Sequence, residues 1–245
     1  MSASPEDAAI ADRLAAVRER IADACGRAGR DPGSVGLVGV SKRKPVEAIV
    51  AAVAAGLDRI GESYVQEAVA KLGPVRDALA ARGLTPPRWH FVGQLQRNKA
   101  RDVVAGFDCV ESLDRASLAR TLSARAVEAG RSLEALVQVN LSGEPQKGGV
   151  APDALSELLS ACEALPGLEI TGLMTVPAAA AEPEASRPAF ATLRGLLEQQ
   201  RGAPGGASLR ELSMGMSGDF EVAIEEGATL VRVGTAIFGP REKRA

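Results

Sequence analysis

A chain of 245 residues with 46% hydrophobic and 24% charged side chains is long enough to bury a substantial core, as one barrel-sized domain or two small ones. The formal charge of −2, with no basic helix and no aromatic-and-arginine patch, argues against a nucleic-acid partner, and no stretch approaches membrane-spanning length. Cys25, Cys109 and Cys162 stand far apart with no CxxC pair, and His90 is the only histidine, which predicts reduced thiols, a cytoplasmic protein and no metal centre. Early Asp and Glu residues without a long apolar core give no expectation of a signal peptide.

In chain order, two periodicities alternate. Over residues 6–28, Ile10, Leu14, Val17, Ile21 and Ala24 recur three or four apart, which predicts an amphipathic helix ended by Gly29 and lying ahead of the repeating pattern. Residues 35–41 form an unbroken run of small and β-branched side chains that fits a strand buried on both faces. Pro45 suits the first turn of a helix over 46–55, stopped by Gly56. Further strands are expected at 59–62, 88–93, 107–111, 136–140, 168–174, 209–213 and 230–233. Helices are expected over 64–81, from about 98, over 114–129 with Asp114 as its cap, and over 152–164, 187–200 and 217–226. Strand and helix alternate eight times over about 200 residues, which predicts an α/β fold, a single (β/α)8 TIM-type barrel. The expected organisation is one domain over 1–245, with an extra N-terminal helix at 6–28 and the barrel at 35–239. An open doubly wound sheet is disfavoured, because no Gly-x-Gly-x-x-Gly turn follows the first strand.

Alternation along the first strand puts Gly36, Val38, Val40 and Lys42 on one face, so Lys42 ends an apolar row at the barrel rim where such folds carry their sites. A rim lysine with a packed stem and cationic neighbours, here Arg43 and Lys44, is a usual source of an amine able to form a Schiff base. Taken alone, the stretch also fits a lysine that snorkels to solvent. A second cluster, 212–219 and 231–236, leaves strands seven and eight, where (β/α) barrels often bind phosphate. Ser217 is expected to cap the helix that follows, Gly215, Gly218 and Gly234 to let the backbone approach, and the Thr235 hydroxyl to donate directly. Singly, these glycine turns also fit ordinary helix caps. An amine for an aldehyde and a phosphate cradle on one rim together imply pyridoxal 5′-phosphate (PLP), which carries both groups on one ring.

The remaining polar residues have blander readings. His90, beside Trp89, reads as a hydrogen-bonded core or rim histidine. Gln94, Gln96, Asn98 and Lys99 order a rim loop or cap the next helix, and Lys147 is a glycine-loop cation, solvated or available to a phosphorylated ligand. Residues 178–188 read as an exposed connection, and the tail 241–244 is too short and mixed in sign for a nucleic-acid arm.

The motifs Val40-Ser41-Lys42-Arg43-Lys44-Pro45, Gly61-Glu62-Ser63-Tyr64-Val65-Gln66-Glu67, the run 90–99, Gly172-Leu173-Met174, the run 212–219 and the run 231–239 stand in a distinctive order. In these motifs the chain resembles the YggS/PROSC family of pyridoxal phosphate homeostasis proteins, single-domain relatives of the alanine racemase barrel. The resemblance covers nearly the whole chain. It implies that Lys42 carries the Schiff base with Lys44 as companion cation, that Ser217, Gly234 and Thr235 hold the phosphate, and that Arg232 faces the pyridine nitrogen. Ser63 stands where the family usually has asparagine, which weakens a contact to the cofactor rim or replaces it with water.

An arginine at the pyridine nitrogen keeps it unprotonated and makes the ring a weaker electron sink. A racemase of this kind also needs an acid or base on the far face of the cofactor. Tyr64, the only tyrosine, is read as packing a rim, and no residues are left for a second domain. The expectation is therefore a monomeric, non-catalytic PLP-binding protein that balances PLP and releases it to PLP-dependent apoenzymes. The alternatives are an amino-acid racemase-like enzyme and a barrel for a phosphorylated metabolite with no Schiff base.

Overall fold

Short β-branched runs need cover on two faces, and the chain provides it by closing its sheet on itself inside a ring of helices. The computed structural model describes residues 5–144, 147–178 and 181–240; the expectation for the tail 241–244 lies outside them. The strands are β1 (Gly36–Val40), β2 (Arg59–Glu62), β3 (Arg88–Phe91), β4 (Cys109–Leu113), β5 (Leu133–Gln138), β6 (Leu168–Met174), β7 (Glu211–Ser213) and β8 (Leu230–Val233). They pair in parallel in chain order, and β8 closes on β1 through Gly36–Leu230, Leu37–Val231, Val38–Arg232 and Gly39–Val233. This is the closed eight-stranded barrel that the sequence predicts.

The helices are α1 (Pro5–Arg27), α2 (Val46–Ala54), α3 (Val65–Ala80), α4 (Ala100–Gly106), α5 (Ala116–Glu128), α6 (Leu155–Glu163), α7 (Arg187–Gln200), α8 (Phe220–Glu225) and α9 (Thr235–Phe238). The stripe Ile10, Leu14, Val17, Ile21 and Ala24 of α1 is buried against α2, α8 and α9. Polar ties fix it there: Arg13 Nε donates to the Ile237 carbonyl at 2.7 Å, and Arg20 and Arg27 pair with Glu221 and Glu225 on α8. Inside the barrel, Val38, Cys109, Leu136, Met174 and Leu230 form a separate apolar layer that closes its floor below the rim.

Several boundaries differ from expectation for identifiable reasons. Phe107 is not in β4: its N–H bonds the Val103 carbonyl at the end of α4, and its ring meets Phe91 edge-on at 5.5 Å in the sheet–helix shell. β5 begins earlier than predicted, at Leu133, whose N–H donates to the Gly167 carbonyl at 2.9 Å. Asp114 does not cap α5; it pairs with Arg115, and the helix starts one turn position later. Pro45 stands just before α2 rather than inside its first turn.

Cys25, Cys109 and Cys162 are unbridged and buried, and burial pushes each thiol up, that of Cys162 to about 11. Because the thiolate is the reactive form, a disulfide-exchange reagent at neutral pH is expected to titrate almost no thiol in the native protein and all of them in denaturant. Rapid native labelling would contradict this packing.

Candidate functional site

The loops that leave β1, β7 and β8 surround a cavity of about 340 Å³ at the C-terminal mouth of the barrel, and Lys42, Ser217, Arg232, Gly234 and Thr235 all line it. Lys42 reaches it differently from the expected strand register. β1 ends at Val40, and Ser41 to Lys44 form a tight turn closed by the Lys44 N–H to the Ser41 carbonyl at 3.0 Å. The lysine is therefore presented by a turn rather than by the inner row of a strand. Arg43, next to it, adopts a left-handed backbone with φ of 62°. Lys44 also lines the cavity, with its ammonium on the Pro240 carbonyl at 2.8 Å.

On the opposite wall, Ser217 does not cap a helix. The helix begins later than expected, with Asp219 at the N-cap position of α8, and the Asp219 carboxylate accepts the Met216 N–H of the preceding turn at 2.7 Å rather than an amide of the helix. Ser217 Oγ instead accepts the Gly234 N–H at 3.3 Å and ties the two loops together. Gly215 makes the sharp turn possible, with φ of 92° and the Phe220 Cα 2.8 Å from where a Cβ would stand. Thr235 opens α9, a helix the sequence did not reveal, in which the Thr235 and Ala236 N–H groups precede the first helical bonds, those of Ile237 and Phe238 to the Gly234 carbonyl. Hydroxyl and amide donors thus collect here, and the ionisable side chains among the lining residues are Lys42, Lys44 and Arg232.

Arg232, on β8 and 5% exposed, is held rigidly from behind. Its Nη1 donates to Ser213 Oγ at 2.6 Å and its Nη2 to the Thr175 carbonyl at 2.8 Å. Ser213 donates in turn to Glu111 Oε2 at 2.6 Å, and Glu111 Oε1 receives His90 Nδ1 at 2.7 Å. The carboxylate also lies 3.8 Å from the guanidinium. Burial alone would raise the Glu111 carboxyl, but the His90 hydrogen bond, the charges of His90 and Arg232 and the Ser213 hydroxyl hold it below its ordinary value. Burial pulls the guanidinium down against the charges of Glu111 and Asp219. His90 is therefore a buried, hydrogen-bonded residue beneath the cavity, with no partner for Nε2 among the described residues.

Glu111, Ser213 and Thr175 were missed as site residues. The available signal was Glu111 two residues after Cys109 on strand four, on the same face, since an acidic side chain is rarely buried without a cation. Ser63 lines the cavity, and Gly93 is required beside it because an added Cβ would lie 2.1 Å from the Ser63 carbonyl oxygen. Tyr64 is 46% exposed and outside the lining, its ring 5.8 Å from the Arg43 guanidinium. Lys147 is engaged rather than solvated: its ammonium bonds the Pro177 carbonyl and Glu144, each at 2.8 Å. Gln94, Gln96, Asn98 and Lys99 stay outside the lining of the cavity.

The family model described as alanine racemase, N-terminal domain, matches residues 13–242. The chain belongs to this family. Within it, the pyridoxal phosphate homeostasis protein of Pseudomonas aeruginosa is 45% identical over 233 residues, 95% of this chain and 96% of that one. The homonymous protein of Aquifex aeolicus is 42% identical over 94% of this chain and 98% of its own. Among solved structures, PipY of Synechococcus elongatus PCC7942 with PLP bound has 40% identity and a TM-score of 0.80, over 94% of this chain and 100% of that one.

A family member that holds a buried cation on Glu111 depends on that pairing for stability. Glu111→Gln is expected to cost about 3–5 kcal/mol at neutral pH, because it removes the carboxylate charge 3.8 Å from the buried Arg232 guanidinium. A carboxyl held below its unfolded value of 4.5 contributes stability above that pH and loses it as the pH falls further. Urea titrations should therefore show the gap between wild type and variant narrowing in acid, and a gap that is constant with pH would contradict the assigned charge.

Proposed function

We propose that this protein holds pyridoxal 5′-phosphate at the mouth of its barrel and maintains the intracellular level of that cofactor, releasing it to PLP-dependent apoenzymes without turning over a substrate. The observation that carries the reading is the convergence of a lysine amine, a cluster of hydroxyl and amide donors and a buried guanidinium on one cavity of about 340 Å³. The donor set fits the group, since an aldehyde, a phosphate dianion and a basic ring nitrogen call for those three partners. Lys42 would hold the aldehyde, Ser217, Gly234 and Thr235 the phosphate, and Arg232 would face the pyridine nitrogen. When bound, PLP supplies an electrophilic carbon and an electron-withdrawing ring.

The protein's own residues favour holding over using. Arg232 has no proton to accept and is fixed by Ser213, Thr175 and Glu111, so it disfavours a protonated, strongly withdrawing ring nitrogen. A racemase would need a proton carrier above the cofactor, and Tyr64 lies outside the cavity under the Arg43 guanidinium. The names of the relatives and the PLP in PipY support the same reading. Among the described residues no helix is long and apolar enough to cross a membrane.

Addition of PLP to the purified protein is expected to produce a visible absorbance band that Lys42→Ala lacks while keeping its circular dichroism. Ser217→Ala and Thr235→Ala should each weaken PLP binding about tenfold, the loss of one hydrogen bond to a charged group. A wild-type protein without a band would overturn the cofactor assignment and favour a phosphorylated metabolite without a Schiff base. Steady loss of optical activity from L-alanine would overturn the absence of turnover.

A further inference from the structure

Glu62 and Glu67 of the second motif and Lys71 of α3 line no part of the cavity, yet they form a largely buried ionic cluster against the turn that presents Lys42. Glu62, the last residue of β2, is fully buried, and its Oε1 accepts from Lys71 Nζ at 2.8 Å and from Ser41 Oγ at 2.7 Å. Lys71, on α3 and 8% exposed, spends its other two donors on Glu67 Oε1 at 2.6 Å and on the Ser41 carbonyl at 3.0 Å. Glu67 Oε1 also accepts the Arg43 backbone N–H. The cluster therefore grips the peptide immediately before Lys42 and the peptide immediately after it.

A buried ion pair is weak evidence for stability, because desolvation offsets most of the attraction. Its geometry has a more specific consequence. Arg43 sits in the left-handed region, which a residue with a Cβ adopts only when its surroundings hold it there. The Glu67 acceptor supplies such a hold from helix α3, and the Arg43 guanidinium over the Tyr64 ring adds a second tie on the same side.

We propose that Lys71 and Glu67 are positioning residues for Lys42: they clamp the Ser41 carbonyl and the Arg43 N–H, so that the turn can direct the amine only into the cavity. The proposal rests on the reading of Lys42 as the residue that bonds the aldehyde. It also gives the second motif a role in placing that lysine from behind the strand.

Glu67 is the residue to change first, since Lys71→Met leaves Glu62 buried without a counter-ion and the variant can fail to fold. Glu67→Ala removes the acceptor, and Glu67→Gln keeps one. In the protein without ligand, amide hydrogen exchange at Arg43 is expected to be about tenfold faster in Glu67→Ala and close to wild type in Glu67→Gln, in line with one hydrogen bond to a charged acceptor. With pyridoxal, which lacks the phosphate and so depends on the lysine alone, borohydride trapping on Lys42 should slow about tenfold in Glu67→Ala and recover in Glu67→Gln. Unchanged Arg43 exchange, or faster exchange with unchanged trapping, overturns the clamp. A wild-type protein that traps nothing on Lys42 sinks the cofactor reading and the purpose of the clamp with it, while the exchange result still reports whether Glu67 holds the turn.

Discussion

The pairing of β8 with β1 is the constraint on which the rest of the molecule depends. It brings Val38 opposite Arg232 and Gly39 opposite Val233, and so sets the Lys42 turn beside the Gly234–Thr235 turn from the far end of the chain. The approach is close: a Cβ on Gly234 would stand 3.2 Å from the Val40 carbonyl oxygen. Without that closure an amine and a set of anion donors would sit on opposite edges of an open sheet. Helix α1 packs across this seam, against α2 on one side and α8 and α9 on the other, which gives a segment outside the repeating pattern a reason to be buried.

Two buried ionic clusters support the rim, one inside the barrel and one outside it. Inside, His90, Glu111 and Ser213 come from three strands and fix the Arg232 guanidinium on a fourth. Outside, Glu62, Glu67 and Lys71 lie between β2 and α3 and hold the backbone on either side of Lys42. Both carry desolvation penalties that an apolar core would avoid. Each places one cationic side chain of the cavity, and below both of them the barrel is filled by apolar residues such as Val38, Leu136 and Leu230.

How much of this is legible in the sequence depends on the range of the interaction concerned. β2, β6, β8 and α7 follow their predicted limits because period and flanking glycine or proline are local signals. Lys42 was found through the end of an apolar run, even though the strand stops short of it and a turn carries it to the cavity. Ser217 was placed in the cavity but misread as a cap, since α8 starts only at Phe220 and the Ser217 hydroxyl accepts from Gly234, seventeen residues away along the chain. The chain from His90 to Arg232 was out of reach, because alternation tells which residues face the lumen but not which of them meet across it. The same holds for Lys71, whose helix spacing says nothing of the Ser41 carbonyl it reaches.

The most direct test is to reduce the PLP-loaded protein with borohydride, digest it and locate the added mass by peptide mapping. A single modified peptide with the adduct on Lys42 is the result this account predicts. An adduct on Lys44 or Lys147 instead, or none at all, would contradict it, because the geometry of the Ser41–Lys44 turn and of the opposing Ser217 and Thr235 donors would then serve a different ligand.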